Sequence, residues 1–358
     1  MGVVTRESRV TIEHAFALTT KRLDPGPLSY AVIMKAIRIH KHGGPEVMVY
    51  EDAPVPTAGT GEAIIQVHVA GVNFVDTYYR AGLYKPPTLP CTLGSEGAGV
   101  VSAIGEGVEN VRVGDRVAYA MTLGSYGEFA AVPAWRLAPL PASVDFKAGA
   151  AIMLQGMTAH YLCYSTYPLR SGDVALVHAG AGGVGQLLIQ IARRLGARVL
   201  ATAGTRQKAE LARAAGANET ILYATQDFES EVKKLTAGRG VDVVYDGVGA
   251  ATYEKSLNCL RPRGYLVLYG QASGPIPAID PLALMNKGSL FLTRPTLNHY
   301  AASREEIQWR SADLFSWIYS GELSLSHDFI FPLTQAAKAH TELEARRTTG
   351  KVLLQVRD

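Results

Sequence analysis

The run Ala179-Gly180-Ala181-Gly182-Gly183-Val184-Gly185 sets glycines at 180, 182 and 185, the G-x-G-x-x-G spacing. A turn bare of side chains lets the backbone reach a pyrophosphate, whose charge then rests at a helix N-terminus. The spacing alone would also fit any flexible turn. Here it follows an apolar strand over 174–178 and opens a helix over 184–195, the context of a dinucleotide-binding turn.

The stretch after the next strand, 198–203, separates the two dinucleotides. An NAD site places an Asp or Glu about 20 residues beyond the glycines, to bond the ribose 2′-hydroxyl. This chain has Ala203-Gly204-Thr205-Arg206-Gln207-Lys208 there, with no acid before Glu210. A hydroxyl and two cations at a helix start suit a 2′-phosphate instead. Arg206 and Lys208 could equally be solvated residues of a helix start, but that reading leaves the missing carboxylate unexplained. NADPH is therefore the expected cofactor. Cys91, Cys163 and Cys259 are too dispersed for a disulfide framework or a clustered zinc site, and none of the 9 histidines pairs at ligand spacing with a second ligand. No metal is expected.

These residues need elements to hold them. From about residue 169 the chain alternates strand and helix: strands at 174–178, 198–203, 220–223, 241–245 and 265–269, helices at 184–195, 206–215, 228–236 and 252–259. Gly196 and Gly216 stand where left-handed C-caps would end two of these helices. Such alternation demands right-handed crossovers and a parallel sheet covered on both faces, a doubly wound Rossmann-type domain. Upstream, from Met34 to about Pro141, short strands at 62–69, 97–104 and 115–120 lie between glycine turns, as in a small β-barrel. After about Leu290 the alternation stops, and a helix over 335–346 precedes a last apolar strand over 351–356.

Composition narrows the classes. The chain has 358 residues, 47% hydrophobic and 19% charged, which fits two globular domains. The net charge of +3 is too balanced for a dedicated nucleic-acid binder. No apolar run approaches the roughly 18–20 residues of a membrane span, and the odd, scattered cysteines suit a reducing cytoplasm. Residues 1–33 mix acidic and basic residues and break at Pro25-Gly26-Pro27, unlike a secretory signal or a transit peptide. They read as a disordered extension ahead of a core that begins at Met34.

With these features in place, the chain resembles the zeta-crystallin-like NADPH:quinone oxidoreductases, the zinc-free branch of the medium-chain dehydrogenase/reductase superfamily. The likeness rests on Gly172-Asp173, Leu176, Gly182-Gly183-x-Gly185, Gln190 and Arg193. It extends through Asn73-Phe74-Val75-Asp76-Thr77-Tyr78, Gly82-Leu83-Tyr84, Gly114-Asp115-Arg116-Val117, Val244-Tyr245-Asp246-Gly247-Val248-Gly249 and Lys287-Gly288-Ser289-Leu290. One departure is Gly180, where the family usually has Ala or Ser. The resemblance implies a GroES-like catalytic domain over 34–155, completed by 290–358, and a Rossmann NADPH-binding domain over 156–289. It also implies an active site in the cleft between them and a homodimer paired through the Rossmann sheets.

The resemblance carries site roles to individual residues. Asn73 and Tyr78 match positions near the nicotinamide, and Tyr84 matches the substrate side; an amide and a phenol can each donate to a carbonyl oxygen as charge develops on it. Arg294 matches a position beside the cofactor, with a structural salt bridge as the competing role. Lys208 and Tyr223 match the holders of the adenosine phosphate. Thr158 and Gln271 match further cofactor contacts, beside Gly180, Gly182, Gly183, Val184, Gly185, Gly204 and Thr205 of the two turns. For Asp76 a capping or structural role is expected, since a carboxylate would repel the reduced substrate oxygen. Zinc-dependent relatives carry Gly-His-Glu where this chain has Gly94-Ser95-Glu96, and they also carry a cysteine lobe that is missing here.

The chemistry that remains is hydride donation from NADPH to an electron-poor acceptor, with the protein orienting the partners and excluding water. A quinone is the expected acceptor. Two alternatives stay open: reduction of α,β-unsaturated carbonyls, and a mainly non-catalytic NADPH-binding role of the crystallin or RNA-associated kind, the RNA version being disfavoured by the balanced charge.

Overall fold

The computed structural model describes residues 32–357. The extension expected over 1–33 lies outside the described residues except for its last two. The first part of the chain forms β1 (Ile33–Ile39), β2 (Met48–Pro54), β3 (Glu62–Val72), β4 (Cys91–Thr92), β5 (Glu96–Ile104), β6 (Arg116–Ala120), β7 (Phe129–Pro133) and β8 (Ala138–Pro139). Strand β3 is the spine of this half. It pairs antiparallel with β5 and β7, and its second half is buried almost throughout, so the alternation visible at 62–69 fades toward Val72. Its register with β5 shifts between Val67 and Val69, and there Gly99 is required, because a Cβ at that position would collide with the Gln66 carbonyl oxygen.

The second half is the doubly wound sheet. Its strands are β9 (Val174–Val177), β10 (Arg198–Ala203), β11 (Glu219–Leu222), β12 (Val241–Asp246), β13 (Leu260–Leu268) and β14 (Phe291–Thr293). They lie parallel in the order β11-β10-β9-β12-β13-β14. The order reverses between β9 and β12, and a crevice opens at the carboxyl ends there. Strand β14 falls just past the boundary expected at 289. It is only three residues long, too short for a periodic signal. Gly196 and Gly216 adopt the left-handed conformation at the ends of helices Gly183–Arg194 and Arg206–Ala214, as expected.

The chain then returns to the first half. Strand β15 (Phe329–Pro332) pairs parallel with β16 (Val352–Gln355), and β16 adds antiparallel to β3. The helix between them, Ala336–Glu344, stops two residues short of the expected end because Arg346 turns left-handed.

Three helices of eight residues or more were not legible. Phe146–Tyr161 is buried over most of its length and therefore lacks a polar face and a period. It packs on both halves, and one continuous core runs from Val69 and Ala98 through Ile152 and Met153 to Leu187 and Leu188. Arg304–Tyr319 puts Arg310 inside the core, where its guanidinium donates to the Tyr300 carbonyl (2.7 Å) and to His160 (3.0 Å). A charged residue on the buried face hides the apolar stripe. The third, Phe74–Ala81, carries the site.

Candidate active site between the two halves

A cavity of about 460 Å³ lies where the halves meet. Its middle is the glycine turn. Strand β9 delivers the chain to Ala179, which is left-handed, and Gly182 precedes the helix beginning at Gly183. Gly182, Gly183, Val184 and Gly185 all line the cavity. A Cβ on Gly185 would collide with the Ala179 carbonyl oxygen and one on Gly183 with the Gln155 amide, so both must stay bare. The first turn of this helix offers unpaired backbone N–H groups to an anion. Gly180 does not face the cavity. A Cβ there would come 2.9 Å from that of Ala201 and 3.2 Å from that of Ala212, so Gly180 sets how closely strand and helix pack.

One end of the cavity is cationic. Gly204, Lys208 and Tyr223 line it together with Arg346, which comes from the returning segment. The Tyr223 hydroxyl sits over Gly204, 2.5 Å from where a Cβ would be. Lys208 donates to the Arg346 carbonyl at 2.7 Å, and burial, then the Arg346 guanidinium, holds its ammonium below the usual lysine range. Asp227, the acid lining this end, is already paired with Lys255 at 2.6 Å. Thr205 is the N-cap of helix Arg206–Ala214, its hydroxyl accepting from the Lys208 N–H at 3.2 Å, and it does not line the cavity. A doubly charged phosphate would fit here. Arg346 was missed because nothing local marks it; only the return of the chain brings it 138 residues back to Lys208.

The other end is built on helix Phe74–Ala81, with Asn73 at its N-cap and a left-handed Gly82 closing it. The pattern Asn73-x-x-Asp76 ahead of Gly82 was the available signal for this helix. Asp76 has the capping role expected of it: its carboxylate accepts the Asn73 backbone N–H at 2.8 Å and the Ser95 hydroxyl at 2.7 Å. Burial pushes Asp76 up to about 6 despite these bonds. Tyr126 also donates to Asp76 (3.2 Å) and meets His340 Nε2 at 3.1 Å, while Arg80 donates to His340 Nδ1 at 3.0 Å. His340 is thus a neutral imidazole with its proton on Nε2, held down to about 3 by burial and by Arg80.

Asn73 lines the cavity, but its amide is turned inward. Nδ2 donates to Glu96 at 2.8 Å and faces the Gly71 carbonyl at 3.4 Å; Oδ1 accepts from Lys351 at 2.8 Å and faces Gln155 Nε2 at 3.4 Å. The amide expected to donate to a substrate oxygen is therefore occupied. Tyr78 is placed differently. Burial raises its phenol above the usual range, against the lowering pull of the Gln271 backbone N–H and of Arg294. Its ring meets that of Tyr84 edge-on at 5.4 Å. Tyr78, Tyr84, Gln271 and Arg294 therefore gather about one turn along the helix from Asn73, and none of the four lines the cavity itself. Arg294 has no acidic partner among the described residues, and its guanidinium donates only to the Pro295 carbonyl, at 3.3 Å. Thr158 is not brought to the cavity; its hydroxyl donates to the Leu154 carbonyl within its own helix at 2.7 Å. Gln155, Lys351 and Glu96 were missed altogether. Among the described residues no three His, Cys, Asp or Glu side chains are grouped to hold a metal ion.

Comparison with known proteins agrees with this architecture. Residues 59–142 match the alcohol dehydrogenase GroES-like domain, and residues 183–316 match the family described as zinc-binding dehydrogenase. The quinone oxidoreductase of Pseudomonas aeruginosa is 46% identical over 321 residues, covering 89% of this chain and 99% of that protein. A 2-haloacrylate reductase from a Burkholderia species is 43% identical over 332 residues, covering 90% of this chain and 99% of that one. The crystal structure of the Escherichia coli quinone oxidoreductase complexed with NADPH superimposes with a TM-score of 0.88 at 42% identity, covering 90% of this chain and 100% of that chain.

Proposed function

The chain belongs to the zinc-free quinone oxidoreductase family of the medium-chain dehydrogenases/reductases, and we propose that it reduces quinones, and by the same chemistry conjugated carbonyls, at the expense of NADPH. The observation that carries the reading is the order of groups along one cavity: a cationic pocket, a bare glycine turn, then the start of the helix that bears Tyr78. That order matches adenosine phosphate, pyrophosphate and nicotinamide. NADPH supplies a hydride when bound.

The chain's own groups do the rest. Lys208, Tyr223 and Arg346 would hold the 2′-phosphate, and the N–H groups of Gly183, Val184 and Gly185 would hold the pyrophosphate. Thr205 would fix the helix start that carries Lys208. On the acceptor side the Tyr78 hydroxyl would donate to the carbonyl oxygen as charge develops there, with Arg294 adding positive potential and Tyr84 closing the substrate side. Asn73 and Thr158 would act through the scaffold around the nicotinamide.

A second acceptor class has its own support. Arg294 is an exposed cation without a carboxylate partner among the described residues, which suits an unsaturated acid, and one relative is a 2-haloacrylate reductase. Steady-state NADPH oxidation should be fast with simple quinones and measurable with enones and 2-haloacrylate. An absence of oxidation with every acceptor would overturn the reading.

A homodimer through one edge of the parallel sheet is also part of this reading. Strand β14 is that edge, Phe291 is 48% exposed on it while stacked on Tyr265 at 4.4 Å, and Leu282 and Met285 stand exposed in the preceding helix. Light scattering of purified protein tests it by giving the mass of one chain or two. A reducing, cytoplasmic setting fits three free, buried cysteines. No helix among the described residues is long and apolar enough to cross a membrane.

A further inference from the structure

Lys351 immediately precedes the last strand of the fold, and its side chain is only 3% exposed. Its ammonium contacts the Glu96 carboxylate, itself fully buried, and donates to Asn73 Oδ1 at 2.8 Å. Glu96 accepts in turn from Asn73 Nδ2 at 2.8 Å and from the Leu154 N–H at 2.6 Å. The Asn73 amide thus lies between a cation on its oxygen side and an anion on its nitrogen side.

A buried ion pair contributes little stability over an apolar pair of equal volume. What it does contribute here is orientation. An amide has nearly the same shape after a half-turn, so packing alone cannot tell its oxygen from its nitrogen. Between Lys351 and Glu96 a flipped Asn73 would set its NH₂ against the ammonium and its carbonyl against the carboxylate. The fixed Oδ1 also fixes the next amide: Gln155 Nε2 faces Asn73 Oδ1 at 3.4 Å, which turns Gln155 Oε1 onto Gly183, where it is buried without a hydrogen-bond partner. Asn73, Gln155 and Gly183 all line the cavity, between the pyrophosphate turn and the acceptor end.

We propose that Lys351 and Glu96 are positioning residues that set the Asn73 and Gln155 amides for the nicotinamide half of NADPH. This rests on the NADPH reading above. It assigns the returning C-terminal segment a part in cofactor recognition besides closing the sheet.

The test compares two ligands by titration, NADPH and 2′,5′-ADP, which carries the adenosine phosphate but no nicotinamide half. Wild-type binding of NADPH is read first, and its absence would overturn the cofactor reading and this assignment with it. The double variant Lys351→Met/Glu96→Gln removes both charges together, so no lone charge stays buried, and it lets the amides turn. NADPH should bind about ten-fold more weakly, the size of one good hydrogen bond to a charged group, while 2′,5′-ADP binds unchanged. The turnover number with a quinone should fall as well. Equal weakening of both ligands would show general damage and overturn the assignment, as would a folded double variant with wild-type affinities. Gln155→Met cuts the last link and leaves the ion pair whole; it should show the same selective loss. Unchanged NADPH binding in Gln155→Met overturns the assignment even where the double variant does not fold.

Discussion

The Lys208 ammonium donates to the backbone carbonyl of Arg346 at 2.7 Å, across 138 residues of chain and from one half of the molecule to the other. Close by, Gly350 donates to the Ala181 carbonyl at 3.1 Å, and Gly182 bridges Gly350 in parallel. The segment 346–350 therefore lies along the cofactor cavity from the cationic end to the glycine turn. Both of its ends are left-handed, at Arg346 and at Gly350. The residues that line the cationic end are in this way contributed by both halves.

Lys208→Ala should weaken NADPH binding about ten-fold or more, since a charge-assisted hydrogen bond contributes about 1.5–3 kcal/mol. Arg346→Ala removes a guanidinium but keeps the carbonyl, and should act in the same direction. NADH carries a hydroxyl in place of the phosphate, so neither change should alter its binding much. Titration of both cofactors by fluorescence checks this. Equal weakening of NADPH and NADH would make the two residues structural.

Tyr78→Phe deletes one hydroxyl from a packed ring. The kcat/KM for quinones should drop about ten-fold, less than the roughly 2.7–4 kcal/mol a full oxyanion donor supplies, because a quinone is already electron-poor. NADPH affinity should change little, since the phosphate contacts lie at the far end of the cavity. Unchanged steady-state kinetics would leave Tyr78 as a packing residue.

The buried network behind the site predicts acid sensitivity. His340 has a folded-state pKa depressed from 6.5 to about 3, so the native state refuses a proton that the unfolded chain accepts. The stability it contributes is fully present above 6.5 and is lost as pH falls from there toward 3. Between pH 7 and pH 5 the loss should be about 2 kcal/mol, at 1.36 kcal/mol per pH unit below 6.5. Asp76 works in the opposite sense: its pKa is raised from 3.8 to about 6, so the native state gains on acidification through that window. His340→Gln removes the larger effect and leaves Asp76 in place. Urea unfolding at pH 7 and pH 5 should show the wild type losing more stability than the variant. Equal losses would mean that His340 is protonated at little cost in the fold.

The doubly wound half was legible because its chemistry is local. Strand, glycine turn and helix follow one another at 174–195, and the absence of an acid before Glu210 is visible in the same window. The catalytic half was harder for a physical reason. Helix Phe146–Tyr161 has no polar face to give it a period, and helix Arg304–Tyr319 hides its stripe behind the buried Arg310. Asn73 could be named from a motif, but the direction of its amide depends on Lys351 and Glu96, which lie 278 and 23 residues away. Spacing carries no information about contacts of that kind.

At Gly180 the resemblance leads one to expect Ala or Ser, and a glycine there bears on packing more than on phosphate. A Cβ at 180 would meet Ala201 Cβ at 2.9 Å, Ala212 Cβ at 3.2 Å and Ile189 Cδ1 at 3.3 Å. All three neighbours are buried, on β10 and on helices Arg206–Ala214 and Gly183–Arg194, so none can swing into solvent. Gly180→Ala should therefore destabilise the protein by about 1–3 kcal/mol, the usual cost of an added methyl in a filled core. NADPH affinity should hold, since residue 180 does not line the cavity. The compensating change is Ala212→Gly, which removes the methyl facing position 180. The double variant Gly180→Ala/Ala212→Gly should recover part of the lost Tm and no more, because glycine inside helix Arg206–Ala214 costs about 1 kcal/mol of its own. Thermal unfolding of the three variants decides the matter. Additive losses in the double variant would show that the two positions do not press on each other, and that Gly180 is kept for the path of the turn.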